Sequence, residues 1–247
     1  MEFRSFDGTR LNVKEQGDGP AVLLLHGLFS SADTNWIRYG TAKQLVAGGY
    51  RLIMPDFRGH GQSDAPEGSE YWPADVLAQD IEALVSHLGL GGDFVLGGYS
   101  LGARTVARLL ARGMKPRAAI FAGMGLRGLV KGGDRAGFFV RMIEGRGTWE
   151  RGTPEFTAEA FMKTTTKNPE CIVHLLNGQQ STAEDMIRGF DLPSLVVCGA
   201  QDQDNGSAPE LAALLPHARY AEIPGTHMGS VTRPELGAAM LDFLKGL

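Results

Sequence analysis

The chain has 247 residues, 43% of them hydrophobic and 21% charged, with a formal net charge of −4. This is the balance of a globular protein able to bury a substantial core, and its mild acidity excludes nucleic-acid backbone binding as a main role, which needs a basic face. No stretch approaches the roughly 18 apolar residues of a membrane span, and the opening segment MEFRSFDGTRLNVKEQ lacks the basic-then-apolar run of a secretory signal.

In chain order, residues 3–6 and 11–14 read as a hairpin turned at Asp7-Gly8. AVLLL at 21–25 and YRLIM at 50–54 are short apolar runs, as expected of strands buried on both faces. Residues 73–88 open with Pro73 and bring Leu77, Ile81, Leu84 and Leu88 to one helical face. FVLGGY at 94–99 is the next strand, followed by a helix over 101–112 that Gly113 stops. AAIFA at 118–122 and SLVVCGA at 194–200 are two more buried strands, RYAEI at 219–223 is a more polar one, and residues 234–244 form a terminal helix. The expected fold class is α/β, with a mostly parallel twisted sheet and helices on both faces. Between Met124 and Arg188 no buried strand is legible, only amphipathic pieces at Arg135–Glu144, Pro154–Thr165 and Pro169–Leu176. This region reads as a small helical cap inserted between two strands. The expected organisation is thus a core over 1–123, a cap over 124–190 and the rest of the core over 191–247.

Gly98-Tyr99-Ser100-Leu101-Gly102 stands where a strand turns into a helix, and it fits the G-x-S-x-G pattern. Such a turn strains the serine backbone and exposes the hydroxyl at the C-terminal edge of the sheet, while flanking glycines let strand and helix approach. A hydroxyl becomes nucleophilic only when a base takes its proton. Of His26, His60, His87, His174, His217 and His227, only His227 follows the last strand on a loop at that same edge without another evident task. The base needs an anion to orient it, and Asp202, after SLVVCGA, is the candidate, with Asp204 its rival. The backbone N–H groups of Leu101 and Leu28 are the expected oxyanion donors, with Phe29 behind Leu28. His26 is expected to shape its loop rather than react.

These features together resemble the α/β-hydrolase fold family: the His26-Gly27 loop, the run Asp56-Phe57-Arg58-Gly59-His60-Gly61-Gln62-Ser63, the turn at Ser100, Asp202 and His227. The resemblance implies a structural role for Asp56–Ser63 and a cap that roofs the pocket. It also implies that the nucleophile sorts the chemistry, since dehalogenases and epoxide hydrolases of this family carry aspartate where Ser100 stands. Cofactor-free haloperoxidases share the serine, and a proline in the oxyanion loop would hint at them, whereas here the residues are Leu28 and Phe29. The function expected is serine hydrolysis of a small carboxylic ester, lactone or thioester through an acyl-enzyme. The alternatives are carbon–carbon bond hydrolysis beside a ketone, or a small-molecule sensor on the same scaffold.

Phe29, Tyr99 and Trp149 are candidate substrate contacts, with Phe138, Phe139 and Phe161 as further apolar lining. The cap's basic residues (Arg135, Arg141, Arg146, Arg151, Lys163, Lys167) and its acidic ones roughly balance, so the cap composition makes no case for an anionic substrate. Neither metal nor cofactor is implied, for no ligand spacing is recognisable. The partner expected is a small acyl substrate, not nucleic acid or membrane. The two cysteines, Cys171 and Cys198, fit a reduced, cytoplasmic chain.

Overall fold

The computed structural model describes residues 1–166 and 168–247, and of Asp134 the backbone only; Lys167, counted above among the cap's charges, lies outside the described residues. In chain order the elements are β1 (Glu2–Arg4), β2 (Arg10–Gln16), β3 (Ala21–Leu25), α1 (Thr41–Ala47), β4 (Arg51–Pro55), α2 (Val76–His87), β5 (Phe94–Tyr99), α3 (Leu101–Ala111) and β6 (Ala118–Ala122). Helices α4 (Leu126–Val130), α5 (Gly133–Glu144), α6 (Pro154–Met162), α7 (Pro169–Asn177) and α8 (Glu184–Arg188) follow. The chain then returns through β7 (Ser194–Gly199), α9 (Ala208–Leu214), β8 (Ala218–Ile223) and α10 (Pro234–Lys245).

The strands form one eight-stranded sheet in the order β1-β2-β4-β3-β5-β6-β7-β8. The β1–β2 and β2–β4 pairs are antiparallel and the rest parallel. Alternation within the central strands divides the core in two. In β3, Leu23 and Leu25 join a cluster with Ile81, Leu84, Val106 and Leu109, while Val22 and Leu24 join one with Trp36, Leu45, Leu236 and Met240. Helices therefore cover both faces, which is why the inner strands carry no polar face. β8 is the outermost strand beside β7, and its exposed Arg219, Tyr220 and Glu222 account for its polar sequence.

Boundaries differ from the sequence reading where the backbone turns sharply. α2 starts at Val76 rather than Pro73 because Asp75 adopts φ 58°, and Pro73 instead closes a turn through its carbonyl to the Val76 N–H. The short helices α1, α4, α8 and α9 have no counterpart in the sequence reading.

The turn at β5–α3 brings backbone against backbone. Ser100 has φ 53° and ψ −109°, a sparsely populated conformation for a residue with a side chain. A Cβ on Gly98 would fall 2.2 Å from the Gly102 carbonyl carbon, and one on Gly102 would fall 2.0 Å from the Leu25 carbonyl oxygen. Both obstacles are backbone, which cannot step aside.

The loop after β3 is fixed from beneath by buried polar groups. His26 donates from Nδ1 to the Gly27 carbonyl at 2.7 Å and accepts the Phe57 N–H at Nε2 at 3.0 Å, so the ring is held neutral in one tautomer. Asp56 accepts from the Ala32 N–H (2.7 Å), Asn12 Nδ2 (2.9 Å) and the Gln62 N–H (3.0 Å), tying the β3 and β4 loops together. His60 packs 5.2 Å from the His26 ring and donates to the Arg58 carbonyl at 3.0 Å. Burial, with His26 beside it, pushes His60 down to about 3, and burial lowers His26 as well.

Two outcomes follow. The unfolded chain binds protons at these histidines near pH 6.5 while the folded chain resists, so stability should fall as pH drops from about 6.5 toward 3. A His60→Gln variant should lose up to about one proton's worth of that slope, read as melting temperature against pH; an unchanged slope would contradict the assignment. Gly102→Ala should cost about 2 kcal/mol or more in denaturant unfolding, since the added methyl meets backbone.

Candidate active site

Three loops at the C-terminal edge of the parallel strands deliver the polar groups expected to meet there. Ser100 follows β5, Asp202 follows β7 and His227 follows β8. His227 Nε2 lies 2.9 Å from Ser100 Oγ, and its Nδ1 lies 2.8 Å from Asp202 Oδ2. Side chains 127 and 25 positions apart are thus joined in one hydrogen-bonded chain.

The loops holding them are braced against one another. The Ala200 N–H donates to the Ile223 carbonyl, and the Gln201 N–H to the Gly225 carbonyl. Tyr99 donates its phenol to the His227 carbonyl and also lies 2.7 Å from Ser230 Oγ. Asp202 is buried; burial opposes its charge, but the His227 hydrogen bond and the Asp204 N–H hold its carboxyl below the ordinary range. It also accepts the Cys198 thiol at 3.4 Å, and burial beside that carboxylate pushes Cys198 up to about 12. Both cysteines are free. Asp204, the rival acid, makes no hydrogen bond to His227 among the described residues and instead pairs with Arg135 at 3.0 Å.

Gly27 packs against the serine, for a Cβ there would fall 3.6 Å from Ser100 Cβ. The Leu28 and Leu101 N–H groups donate to no acceptor among the described residues. Leu101 begins α3, where the first N–H groups lack helical partners. Phe29 is itself in the left-handed region, at φ 53°, a feature the sequence did not reveal. Its carbonyl accepts from Thr165 Oγ1 at 2.6 Å and its ring meets Phe139 edge-on, which links this loop to the helices between β6 and β7.

A cavity of about 450 Å³ opens over Ser100 and His227. Its apolar lining includes Leu28, Phe29, Phe138, Phe139 and Phe161, so α5 and α6 roof it. Two expected substrate contacts are corrected. Tyr99 precedes Ser100 in β5 and points to the opposite sheet face, where it anchors the His227 loop and borders only a side space of about 80 Å³. Trp149 does not line the main cavity: its indole donates to the Met142 carbonyl and packs on Gly145, holding the end of α5. The polar lining includes Arg104, Arg135 and Asp204. Arg104 was missed. Its signal was its place four residues after Ser100 on a helix, which puts both on one face.

Asp202, Asp204 and His227 place one ligand-type atom each within 4.8 Å of the others. Each already has a partner in the fold, with His227 on Asp202, Asp202 on the Asp204 N–H and Asp204 on Arg135. No described helix is long and apolar enough to cross a membrane.

Residues 20–122 match a family model described as alpha/beta hydrolase fold. An epoxide hydrolase of Caballeronia sordidicola is 41% identical over 92 residues, 37% of this chain but only 27% of that protein. A non-heme chloroperoxidase of Streptomyces lividans is 28% identical over 97% of both chains. Among solved structures, an esterase from Thermogutta terrifontis with malate bound superposes with a TM-score of 0.79 at 23% identity, covering 100% of this chain and 98% of that one. The sheet order, the strand-to-helix turn at Ser100 and these similarities agree: the chain has the α/β-hydrolase fold, and residues 20–122 resemble that family in sequence.

Proposed function

We infer that this protein is a serine hydrolase of small carboxylic esters, lactones or thioesters, working through an acyl-enzyme. The observation that carries the reading is the continuous contact from Ser100 Oγ to His227 Nε2 and from His227 Nδ1 to Asp202 Oδ2. His227 takes the hydroxyl proton as Ser100 Oγ bonds to the substrate carbonyl carbon. Asp202, kept anionic by its hydrogen bonds, stabilises the imidazolium that forms. The oxyanion develops between the N–H groups of Leu101 and Leu28, each such donor contributing about 3 kcal/mol to transition-state stabilisation. The carbonyl re-forms, the leaving alcohol or thiol departs with the proton from His227, and water clears the acyl group by the same route. None of these steps calls for a metal or organic cofactor.

Serine at position 100 favours this chemistry over that of the epoxide hydrolases, which resemble the chain over little more than a third of its length. Leu28-Phe29 offers no proline to the oxyanion loop, and this favours ester hydrolysis over the peroxidase chemistry for which the Streptomyces relative is named. Helices α4–α8 act as the cap in this reading, and a reduced cytoplasmic setting suits the free cysteines.

With short-chain aryl esters, Ser100→Ala should lower kcat by at least about a thousandfold, and undiminished turnover would end the proposal. Asp202→Asn should cost at least about a hundredfold more than Asp204→Asn, because only the former leaves His227 without its anion; equal losses would reassign the acid.

A further inference from the structure

Arg58 and Arg104 are both buried, and their surroundings are opposite. Arg58 has a carboxylate on either side: Nε and NH2 donate to the two Asp80 oxygens at 2.7 and 2.6 Å, and NH1 reaches Asp7 Oδ2 at 2.9 Å. It also stacks on the rings of Phe6 and Trp72. That is a complete structural ion network. Arg104 is 8% exposed, and no hydrogen bond, ion pair or ring contact engages its side chain among the described residues. Its Nε and NH1 are buried without any acceptor. The charge that bears on it is a second arginine, Arg135, whose own guanidinium is already held by Asp204 and Phe139.

A buried cation without a partner is costly, so one that borders a cavity with none among the described residues calls for a partner there. Burial and Arg135 together bring Arg104 down to about 10, which leaves it charged at neutral pH. The fold also makes room for it. A Cβ on Gly132, at the start of the cap, would fall 2.1 Å from Arg104 NH1, so a larger residue there would displace the guanidinium. Arg104 and Ser100 border the same cavity. Four residues along α3 is roughly 6 Å of helical rise, and helical side chains lean toward the N-terminus, here toward Ser100.

We propose that the substrate of this site carries a carboxylate in addition to its scissile carbonyl, and that the Arg104 guanidinium seats that carboxylate by charge-assisted hydrogen bonding. The reacting carbonyl rests on the hydrolase reading above; the carboxylate site rests on Arg104 alone. Arg104 is then a specificity-determining residue, choosing half-esters or lactone acids over neutral esters of equal size. The balanced charge of the cap conceals this, because the selecting cation belongs to the core helix beneath it.

The test compares isosteric pairs. One pair carries the charge on the acyl side, p-nitrophenyl hydrogen glutarate against the p-nitrophenyl ester of glutaric acid monoamide. The other carries it on the leaving group, 3-carboxyphenyl acetate against 3-carbamoylphenyl acetate. In at least one pair the anionic ester should be favoured about tenfold or more in kcat/KM, and Arg104→Met should abolish that ratio. The proposal is overturned if neither anionic ester is favoured, or if the preference survives Arg104→Met. Gly132→Leu, which leaves the arginine in the chain but crowds it, should reduce the ratio too.

A second arm needs no turnover. Glutarate, but not glutaramide, should raise the melting temperature of Ser100→Ala protein, and the rise should vanish when Arg104→Met is added. Should no ester be cleaved by the wild type while this shift is seen, the hydrolase reading fails and the carboxylate site stands. Should neutral esters be cleaved with no glutarate shift and no anionic preference, the carboxylate site fails alone.

Discussion

The arrangement at this site depends on two bare α-carbons. β5 can hand the chain to α3 at Ser100 only because Gly98 and Gly102 let backbone meet backbone at distances no Cβ would tolerate. The serine between them is held in a conformation that few residues adopt, so its hydroxyl stands at the rim of the sheet while the Leu101 N–H opens α3 beside it. The proposed nucleophile and the proposed first oxyanion donor are thus placed by the same turn. The strain is local, and it is borne by a sheet packed on both faces, whose central strands are fully buried.

Everything else at the rim is brought to that serine by loops that brace one another. The β3 loop is seated on the neutral His26 ring and the Asp56 carboxylate, groups that take part in no proposed chemical step but have their polar atoms committed to backbone. The Asp202 and His227 loops are stitched by backbone hydrogen bonds and by Tyr99 from the strand that precedes Ser100. Such bracing keeps the hydrogen-bonded chain pre-formed, which is what a reaction limited by positioning and by charge development asks of its scaffold.

Much of this was legible in the sequence because topology does much of the placing. In a parallel sheet the residues that follow β5, β7 and β8 must emerge at one edge, so Ser100, Asp202 and His227 could be paired without coordinates. The lining was harder to read. Tyr99 looked like a substrate contact by adjacency, yet strand alternation sends its side chain to the other face. Trp149 looked like one by type, yet cap helices turn their faces according to packing that no local pattern encodes. Phe29's left-handed backbone left no trace in its identity. Arg104 was hidden differently: it sits in an amphipathic helix where an arginine is ordinary, and only its burial without a counter-charge among the described residues sets it apart. Charge counted over a segment does not report which cation faces the cavity.

The central claim is that Ser100 is an activated nucleophile, and covalent labelling tests it most directly. The native protein would be treated with a fluorophosphonate, digested and mapped by mass spectrometry, with a His227→Ala variant alongside. The account predicts one stoichiometric adduct on Ser100, formed far more slowly when His227 is replaced. Modification at another residue, or no adduct from protein that cleaves esters, would contradict it.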